Sequence, residues 1–358
     1  MKITHFISSP ASGGAEVYVK DLSIEKVKLG HSVHVLFLSN AADIGRNKQF
    51  ENKFLEELDN AGVTYSFVGN RARRNPLLGI IKVREHIKKF EPDILHCHLY
   101  YALVFSLFTK KINVIYTHHN IKLKIPSFAY KLFDFRVSAY VGICQACTDI
   151  ISRVTNKPVY KIDNAVSTER IIPKKEYSYS EIPQVLMVGH LSEQKNYHFL
   201  FEVVKLLKDK NFVVSIAGEG PDFQLFEKII KDNNLESKVN LLGNVSNVPS
   251  LMNRSDIFAM TSAWEGLPIA LIEATLTGLP TIVTSVGGCA EVSHQSLNGF
   301  VIDTFCSNDY AKKLSTLLDS FELRRELSRN ALSYSMDYTL VRCVEKHIDL
   351  YSKVNNKN

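Results

Sequence analysis

Ser262-Ala-Trp-Glu-Gly-Leu-Pro-Ile-Ala-Leu-Ile-Glu-Ala-Thr-Leu-Thr-Gly-Leu-Pro280, continuing through Thr281-Ile-Val-Thr-Ser-Val-Gly-Gly288, reads as a loop, a short helix and a strand. Asp256–Met260, just before it, has the apolar character of a buried strand. Pro268 sits where a first helical turn tolerates proline, and Gly278 with Pro280 stops the helix. The result is a βαβ unit whose loop lies at the carboxyl end of a strand, where open α/β sheets bind ligands. Glu265 is in that loop and Glu273 is on the helix.

Outward from this unit the same alternation covers the chain. Strand candidates are Ile3–Ile7, Val33–Leu38, Val63–Val68, Asp93–Cys97, Asn113–Thr117 and Tyr140–Cys144 in the first half. They are Val185–Gly189, Phe212–Ala217, Val239–Leu242, Asp256–Met260, Thr281–Ser285 and Gly299–Ile302 in the second. Helical periods fill the gaps, which predicts parallel sheets with right-handed crossovers. The pattern runs once, pauses over a polar, proline-flanked stretch, and runs again. The expected organisation is α/β: a first Rossmann-like domain over 1–170, a linker over 171–183, a second such domain over 184–340, and a C-terminal helix over 341–358 that packs back on the first. Two such domains facing each other across a cleft suit a reaction between two substrates.

The bulk properties narrow the class. A chain of 358 residues exceeds what one core usually covers. The longest apolar run, Leu99–Phe108, is about half of what a bilayer span requires. No charged-then-apolar leader precedes the first strand, so the chain is expected to be cytoplasmic. Six cysteines show no disulfide framework, and the single Cys144-x-x-Cys147 reads as packing rather than zinc or redox chemistry. Residues 1–170 carry 24 Lys and Arg against 15 Asp and Glu, a balance of +9; the remainder is −3, consistent with +6 overall. A basic first half suits an anionic membrane leaflet or a phosphate-bearing acceptor, and equally an ordinary solvated surface.

Several turns have the residue types of an anion site. Gly189-His-Leu-Ser-Glu-Gln-Lys195-Asn196 follows a strand and opens a helix, so Lys195 stands near a helix N-terminus that already favours anions. A solvated surface lysine is the alternative. Gly218-Glu-Gly220-Pro221 and Ser12-Gly13-Gly14-Ala-Glu16 are further glycine turns after strands. Neither completes a dinucleotide fingerprint, and tight-turn structure explains either one taken alone. His96, His98, His118 and His119 end two first-half strands; they are available to contact a ligand or to hydrogen-bond internally, and no metal-ligand spacing accompanies them. Eight residues of helix rise about 12 Å, whereas glycosidase carboxyl pairs stand roughly 5–9.5 Å apart. Glu265 and Glu273 are therefore read as doing two jobs.

Taken together these segments resemble the retaining glycosyltransferases of family 4, which have the GT-B fold. The family pattern G-R-L-S-x-x-K-N is similar to Gly189–Asn196, G-x-G-P to Gly218–Pro221, and the E-x7-E motif S-x-x-E-G-x-P-x-x-x-x-E-A to Ser262–Ala274. Gly278-Leu-Pro280, Gly287-Gly-Cys-Ala-Glu291, Gly13–Glu16 and the strand-end His119 also fit. The resemblance implies that Lys195 binds the donor diphosphate and that Gly13, Gly14, His190, Gly218 and Gly220 are donor-binding too. It implies that Glu273 holds the ribose and that Glu265, with Gly266, Leu267, Pro268 and Ile269, holds the donor sugar. Glu265, His119 and Lys195 are the implied catalytic residues, and His98 is an acceptor contact. No metal and no cofactor are implied.

The partners that follow are a nucleotide-sugar donor, UDP-linked, and a glycan or polyprenyl-linked acceptor in cell-surface polysaccharide synthesis, with no nucleic acid. Leu99–Phe108, followed by Lys110-Lys111, offers peripheral contact with an anionic membrane at the inner face, or else a buried helix. One departure stands out: His190 occupies a position where the family usually has arginine, and so replaces a fixed charge with a titrating one. Alternatives on the same plan are a nucleotide-sugar epimerase, a phosphorylase, or a non-catalytic subunit that binds sugar nucleotides.

Overall fold

A computed structural model describes residues 1–109, 112–245, 247–334 and 338–356. The chain divides into two compact units. The first is Met1–Ala165 together with the segment from Leu340, and the second is Val166–Thr339.

In the first unit seven parallel strands are ordered β3-β2-β1-β4-β5-β6-β7. They are β1 (Lys2–Ile7), β2 (Ser32–Phe37), β3 (Thr64–Phe67), β4 (Ile94–Cys97), β5 (Asn113–His118), β6 (Val137–Gly142) and β7 (Val159–Lys161). The helices are α1 (Gly14–Lys28), α2 (Lys48–Asn60), α3 (Pro76–Phe90), α4 (Tyr100–Ser106), α5 (Ser127–Phe133) and α6 (Gln145–Ser152). The second unit orders six parallel strands β10-β9-β8-β11-β12-β13. They are β8 (Gln184–Val188), β9 (Val213–Ala217), β10 (Val239–Gly243), β11 (Ile257–Met260), β12 (Thr281–Thr284) and β13 (Gly299–Ile302). Its helices are α7 (Tyr197–Leu206), α8 (Phe223–Asp232), α9 (Val248–Arg254), α10 (Ile269–Thr277), α11 (Cys289–Ser296), α12 (Ser307–Asp319) and α13 (Phe321–Ser333). The last helix, α14 (Leu340–Asn355), returns to the first unit and packs on α1.

All twelve strands expected from sequence are present. β6 starts three residues earlier than its apolar run suggests and ends two residues earlier, because Cys144 leaves the strand to cap α6, its Sγ accepting from the Cys147 amide. Pro268 is the cap of α10 rather than a residue of its first turn. The polar stretch after Arg170 is held to the second unit: the Lys174 amide donates to Thr277 O (2.8 Å) and the Tyr177 hydroxyl to Asp256 O (2.6 Å).

Strands buried on both faces carry near-continuous apolar runs, as parallel sheets require. Val185, Met187, Val214, Ile216, Ile257 and Ile282 meet Leu200, Val203, Tyr310 and Leu314 in the second core. In the first unit Phe6, Leu95, Cys97, Val114 and Tyr116 pack with Phe105, Tyr130 and Tyr140 on one face. The opposite face holds a polar cluster among buried aliphatics such as Ile3, Ile7, Ile94 and Ile115. His5 of β1 pairs in register with His96 of β4, and His96 with Ile115 of β5. Two-residue alternation then brings His98, Thr117 and His119 to the same side, where Lys26 of α1 and His347 and Tyr351 of α14 cover them.

Burial disfavours the imidazolium form throughout this unit. It lowers His5, His96, His98 and His347 well below the ordinary value, and takes His34 and His119 to about 3 and His86 and His118 to about 4. Unfolded, each binds a proton below pH 6.5. Between that pH and the folded values the unfolded chain holds more protons, so stability falls as pH falls, by about 1.4 kcal/mol per pH unit for each unmatched proton. Calorimetry between pH 7.5 and 5 is expected to show the Tm of this unit dropping by roughly 5 °C or more; a flat or rising Tm contradicts the assignment.

Candidate active site

In the second unit the strand order reverses at β8 and β11, which are neighbours in the sheet although β9 and β10 intervene in the chain. The crevice at such a switch point is where open α/β sheets take ligands. The loop after β8 supplies Lys195 from a single 3-10 turn, Glu193–Lys195, and the loop after β11 supplies Glu265. The two meet: Lys195 Nζ lies 2.7 Å from Glu265 Oε1. Gln194 Nε2 donates to the other carboxylate oxygen (3.1 Å) and Ser262 Oγ to the first (2.8 Å). The Thr261 hydroxyl donates to Lys195 O and the Ala263 amide to Gln194 O, so the two loops are stitched along their backbones as well.

Close backbone approach makes this arrangement possible. A Cβ on Gly218, at the end of β9, would overlap the carbonyl of Gly189, and the Leu191 amide donates to Glu219 O (2.9 Å). Gly220 lies against Leu191 in the same way. Gly287 has φ +54°, and a Cβ there would meet the carbonyl of Glu265; the neighbouring Gly288 amide donates to Gly266 O (2.6 Å). The turn after β12 therefore fixes the Glu265-Gly266-Leu267-Pro268 loop.

α10 begins at Ile269 with no side chain capping its N-terminus, so its leading N–H groups are free of that competitor for an anion. Glu273, one turn in, is partly buried and pairs with Arg170 at 3.5 Å. The two acids are thus separately held: Glu265 by a lysine, an amide and a hydroxyl, and Glu273 by a guanidinium. Arg170 and Gln194 had no sequence signal. Ser262 opens the E-x7-E motif, whose spacing alone does not indicate its bond to Glu265. The backbone carbonyl of His190 accepts from the Ser192 hydroxyl.

The other expected residues lie in the first unit. Gly13 caps α1 and Gly14 is its first residue; the Glu16 carboxylate, bound by the Ser8 hydroxyl at 2.7 Å, occupies the space beside Gly13. Burial raises the Glu16 pKa against that hydrogen bond. His98 is buried and commits Nε2 to His5 Nδ1 (2.9 Å) and Nδ1 to His119 Nε2 (3.0 Å). His5, His96 and His98 bring ring nitrogens within 4.8 Å of one another, a metal-like spacing. Yet all six nitrogens of these rings are engaged in hydrogen bonds, and the Lys26 amine is among the partners. Among the described residues no helix is long and apolar enough to cross a membrane. The Leu99–Phe108 run is largely α4, with Ala102, Leu103 and Phe105 buried; Lys110-Lys111 lies outside the described residues.

Two doubly wound parallel units define the GT-B class of fold. The "Glycosyltransferase Family 4" model matches residues 12–170 and the "Glycosyl transferases group 1" model residues 168–334. The chain belongs to this family and is a glycosyltransferase. It is 24% identical over 351 residues to N-acetyl-alpha-D-glucosaminyl L-malate synthase of Bacillus anthracis, covering 90% of this chain and 89% of that one. It is 30% identical over 171 residues to UDP-Gal:alpha-D-GlcNAc-diphosphoundecaprenol alpha-1,3-galactosyltransferase of Escherichia coli, covering 46% and 44%. The structure of Anabaena HepE in complex with UDP and glucose superposes with a TM-score of 0.81 at 19% identity, covering 98% and 99%, a likeness of fold alone.

Gly218→Ala is expected to force the Gly189 carbonyl away and to cost roughly 1–3 kcal/mol. Chemical denaturation measures it, and an unchanged midpoint would show that the two turns do not depend on this contact.

Proposed function

We propose that the chain is a retaining glycosyltransferase that moves a sugar from a UDP-linked donor to a glycan or polyprenyl-linked acceptor in cell-surface polysaccharide synthesis, with no metal and no cofactor. The observation that carries this reading is the Lys195–Glu265 pair at the β8/β11 switch point, beside the uncapped start of α10. The Escherichia coli relative, named for a UDP-galactose donor and a diphosphoundecaprenol acceptor, supports the donor and acceptor classes.

In this reading Lys195 and the N-terminus of α10 take the charge that develops on the departing diphosphate. Donors fixed in advance for a developing charge are usually the largest electrostatic contribution to catalysis. Gly13, Gly14, Gly218 and Gly220 let backbone approach the donor, and Glu273 accepts from the ribose hydroxyls. Glu265, with Gly266–Ile269, holds the donor sugar; its three partners keep the carboxylate from swinging away. His119 orients the same sugar. The first unit, the more basic half, takes the acceptor.

Trp264, the only tryptophan, adjoins Glu265 and serves as a fluorescence reporter of donor binding. Lys195→Ala and Glu273→Ala are expected to raise the UDP Kd roughly tenfold, about 1.4 kcal/mol. Glu265→Ala is expected to lower kcat by about 100-fold with little change in that Kd. The product's anomeric configuration, read by NMR, should match the donor's. Inversion, or wild-type behaviour in all three variants, would overturn the reading.

Peripheral membrane contact belongs to the same proposal, with α5 as its best-supported surface. Phe128, Leu132 and Phe135 are 73, 63 and 85% exposed, next to exposed Lys122, Lys124 and Lys131. The one acid of the segment, Asp134, is buried and accepts from Thr155 Oγ1 and the Asn156 amide. Apolar tips ringed by lysines match an anionic bilayer, at about 1 kcal/mol per lysine near the surface. Co-sedimentation should be on the order of 100-fold stronger with phosphatidylglycerol than with phosphatidylcholine vesicles, and weaker in Phe128→Ser/Leu132→Ser/Phe135→Ser. Equal binding to both lipids, or an unaffected triple variant, would refute it.

A further inference from the structure

The polar face of the first sheet contains a continuous line of hydrogen bonds. Lys26 Nζ lies 3.0 Å from His5 Nε2, His5 Nδ1 lies 2.9 Å from His98 Nε2, and His98 Nδ1 lies 3.0 Å from His119 Nε2. The line ends at His119 Nδ1, which is buried and has no partner among the described residues. Lys26 has a second contact, the Tyr351 hydroxyl at 2.8 Å. That branch closes internally, through His96 Nδ1 (2.6 Å) and from His96 Nε2 to Thr117 Oγ1 (2.6 Å). Only the histidine branch runs out to an open atom.

A neutral imidazole has one N–H and one lone pair, so a chain of them is polar: the direction of its first bond fixes all the others. An ammonium has only hydrogens to offer. An amine has two, which suffice for His5 and Tyr351. Turning the amine's lone pair to His5 instead would leave one of its hydrogens buried without an acceptor, the costlier outcome. In either protonation state Lys26 therefore donates. His5 then carries its hydrogen on Nδ1 and donates to His98, and His98 does the same to His119.

We propose that Lys26 is a positioning residue that acts through His5 and His98 to hold His119 as the Nδ1–H tautomer, so that the open atom at the carboxyl end of β5 is a hydrogen-bond donor. The group it meets must accept: a sugar hydroxyl, ring or carbonyl oxygen, not another donor. The identity of that oxygen as the donor sugar's rests on the proposed function; the tautomer does not. An isolated neutral histidine in water favours Nε2–H, so the relay selects the less common form. Since α1 supplies Lys26 and β1 supplies His5, two side chains that lie three and two hydrogen bonds back from His119 set the polarity of the contact.

Long-range 1H–15N correlation spectra of the 15N-histidine-labelled full chain read the tautomers directly, with His119 assigned by its loss in His119→Ala. Wild type is expected to show Nδ1–H at His119. Lys26→Met and His5→Phe are expected to shift it to Nε2–H. His5→Gln should restore Nδ1–H, because its oxygen accepts from Lys26 and its amide donates to His98. Circular dichroism identifies any variant that does not fold, and the wild-type spectrum decides the polarity even then. Nε2–H in wild type, or Nδ1–H persisting in folded Lys26→Met and His5→Phe, overturns the relay. UDP-glucose and UDP-galactose binding, followed by Trp264 fluorescence, separates the two readings. A roughly tenfold weaker Kd in Lys26→Met supports a sugar contact. A tautomer that switches while both Kd values stay fixed leaves the relay standing and removes the sugar from His119.

Discussion

Lys195 and Glu265 come from loops that lie 70 residues apart in sequence, and their bond depends on the sheet order. Because the chain leaves β8 in one direction, fills that edge with β9 and β10, and returns to β11, two strand ends become adjacent with no crossover helix between them. Everything else at the site serves this junction. Gly218 and Gly220 let the neighbouring turn lie flat against residues 189–191, and Gly287 does the same beneath Glu265. The glycines contribute closeness and the charged pair contributes chemistry. Neither is useful without the parallel register that aligns the strand ends.

The first unit uses the same topology to another end. Its switch point lies between β1 and β4, and the side chains that meet there are histidines rather than a lysine and an acid. A sheet face is normally filled with branched aliphatic residues. Here one face is aliphatic and aromatic, while the centre of the other, amid Ile3, Ile7, Ile94 and Ile115, holds a cluster of imidazoles, hydroxyls and one amine, hydrogen-bonded mainly to one another. Satisfied buried polar groups specify geometry more sharply than aliphatic packing does, and the cost of mispairing them is high. His119 Nδ1 shares its lack of a partner with His118 Nε2 and His347 Nδ1, but it alone of these ends the line that starts at Lys26.

Much of this was legible in the sequence, for identifiable reasons. The central strands stand out because burial on both faces demands continuous apolar runs, and the half-exposed β3, β10 and β13 still carry enough apolar residues to be seen. β7 leaves no sequence signal: it is three half-buried residues following Pro158, too short and too polar for any periodicity. The extent of β6 is not legible because Ile143 and Cys144 prolong its apolar run past the point where the backbone turns into α6. Lys195, Glu265 and Glu273 were legible from motif spacing, since loop geometry at a switch point tolerates few alternatives. Their supports were not. Gln194 is one polar residue among several in its turn, and Arg170 opens a stretch whose polarity suggested a free connector. The polar face was half legible: His96-x-His98 and Thr117-x-His119 show the two-residue step, but nothing local indicates that Lys26 and Tyr351 close over it.

The return of α14 to the first unit has a consequence for how the molecule is made. Lys26 and Tyr351 are separated by 325 residues, as are Tyr18 and Cys343. On the ribosome, the amine of Lys26 emerges 325 residues before the hydroxyl it meets, and the whole of the second unit is translated and free to fold in between. The first unit to begin is the second to be completed, and until then its imidazole-lined face lacks a roof and lies open to water.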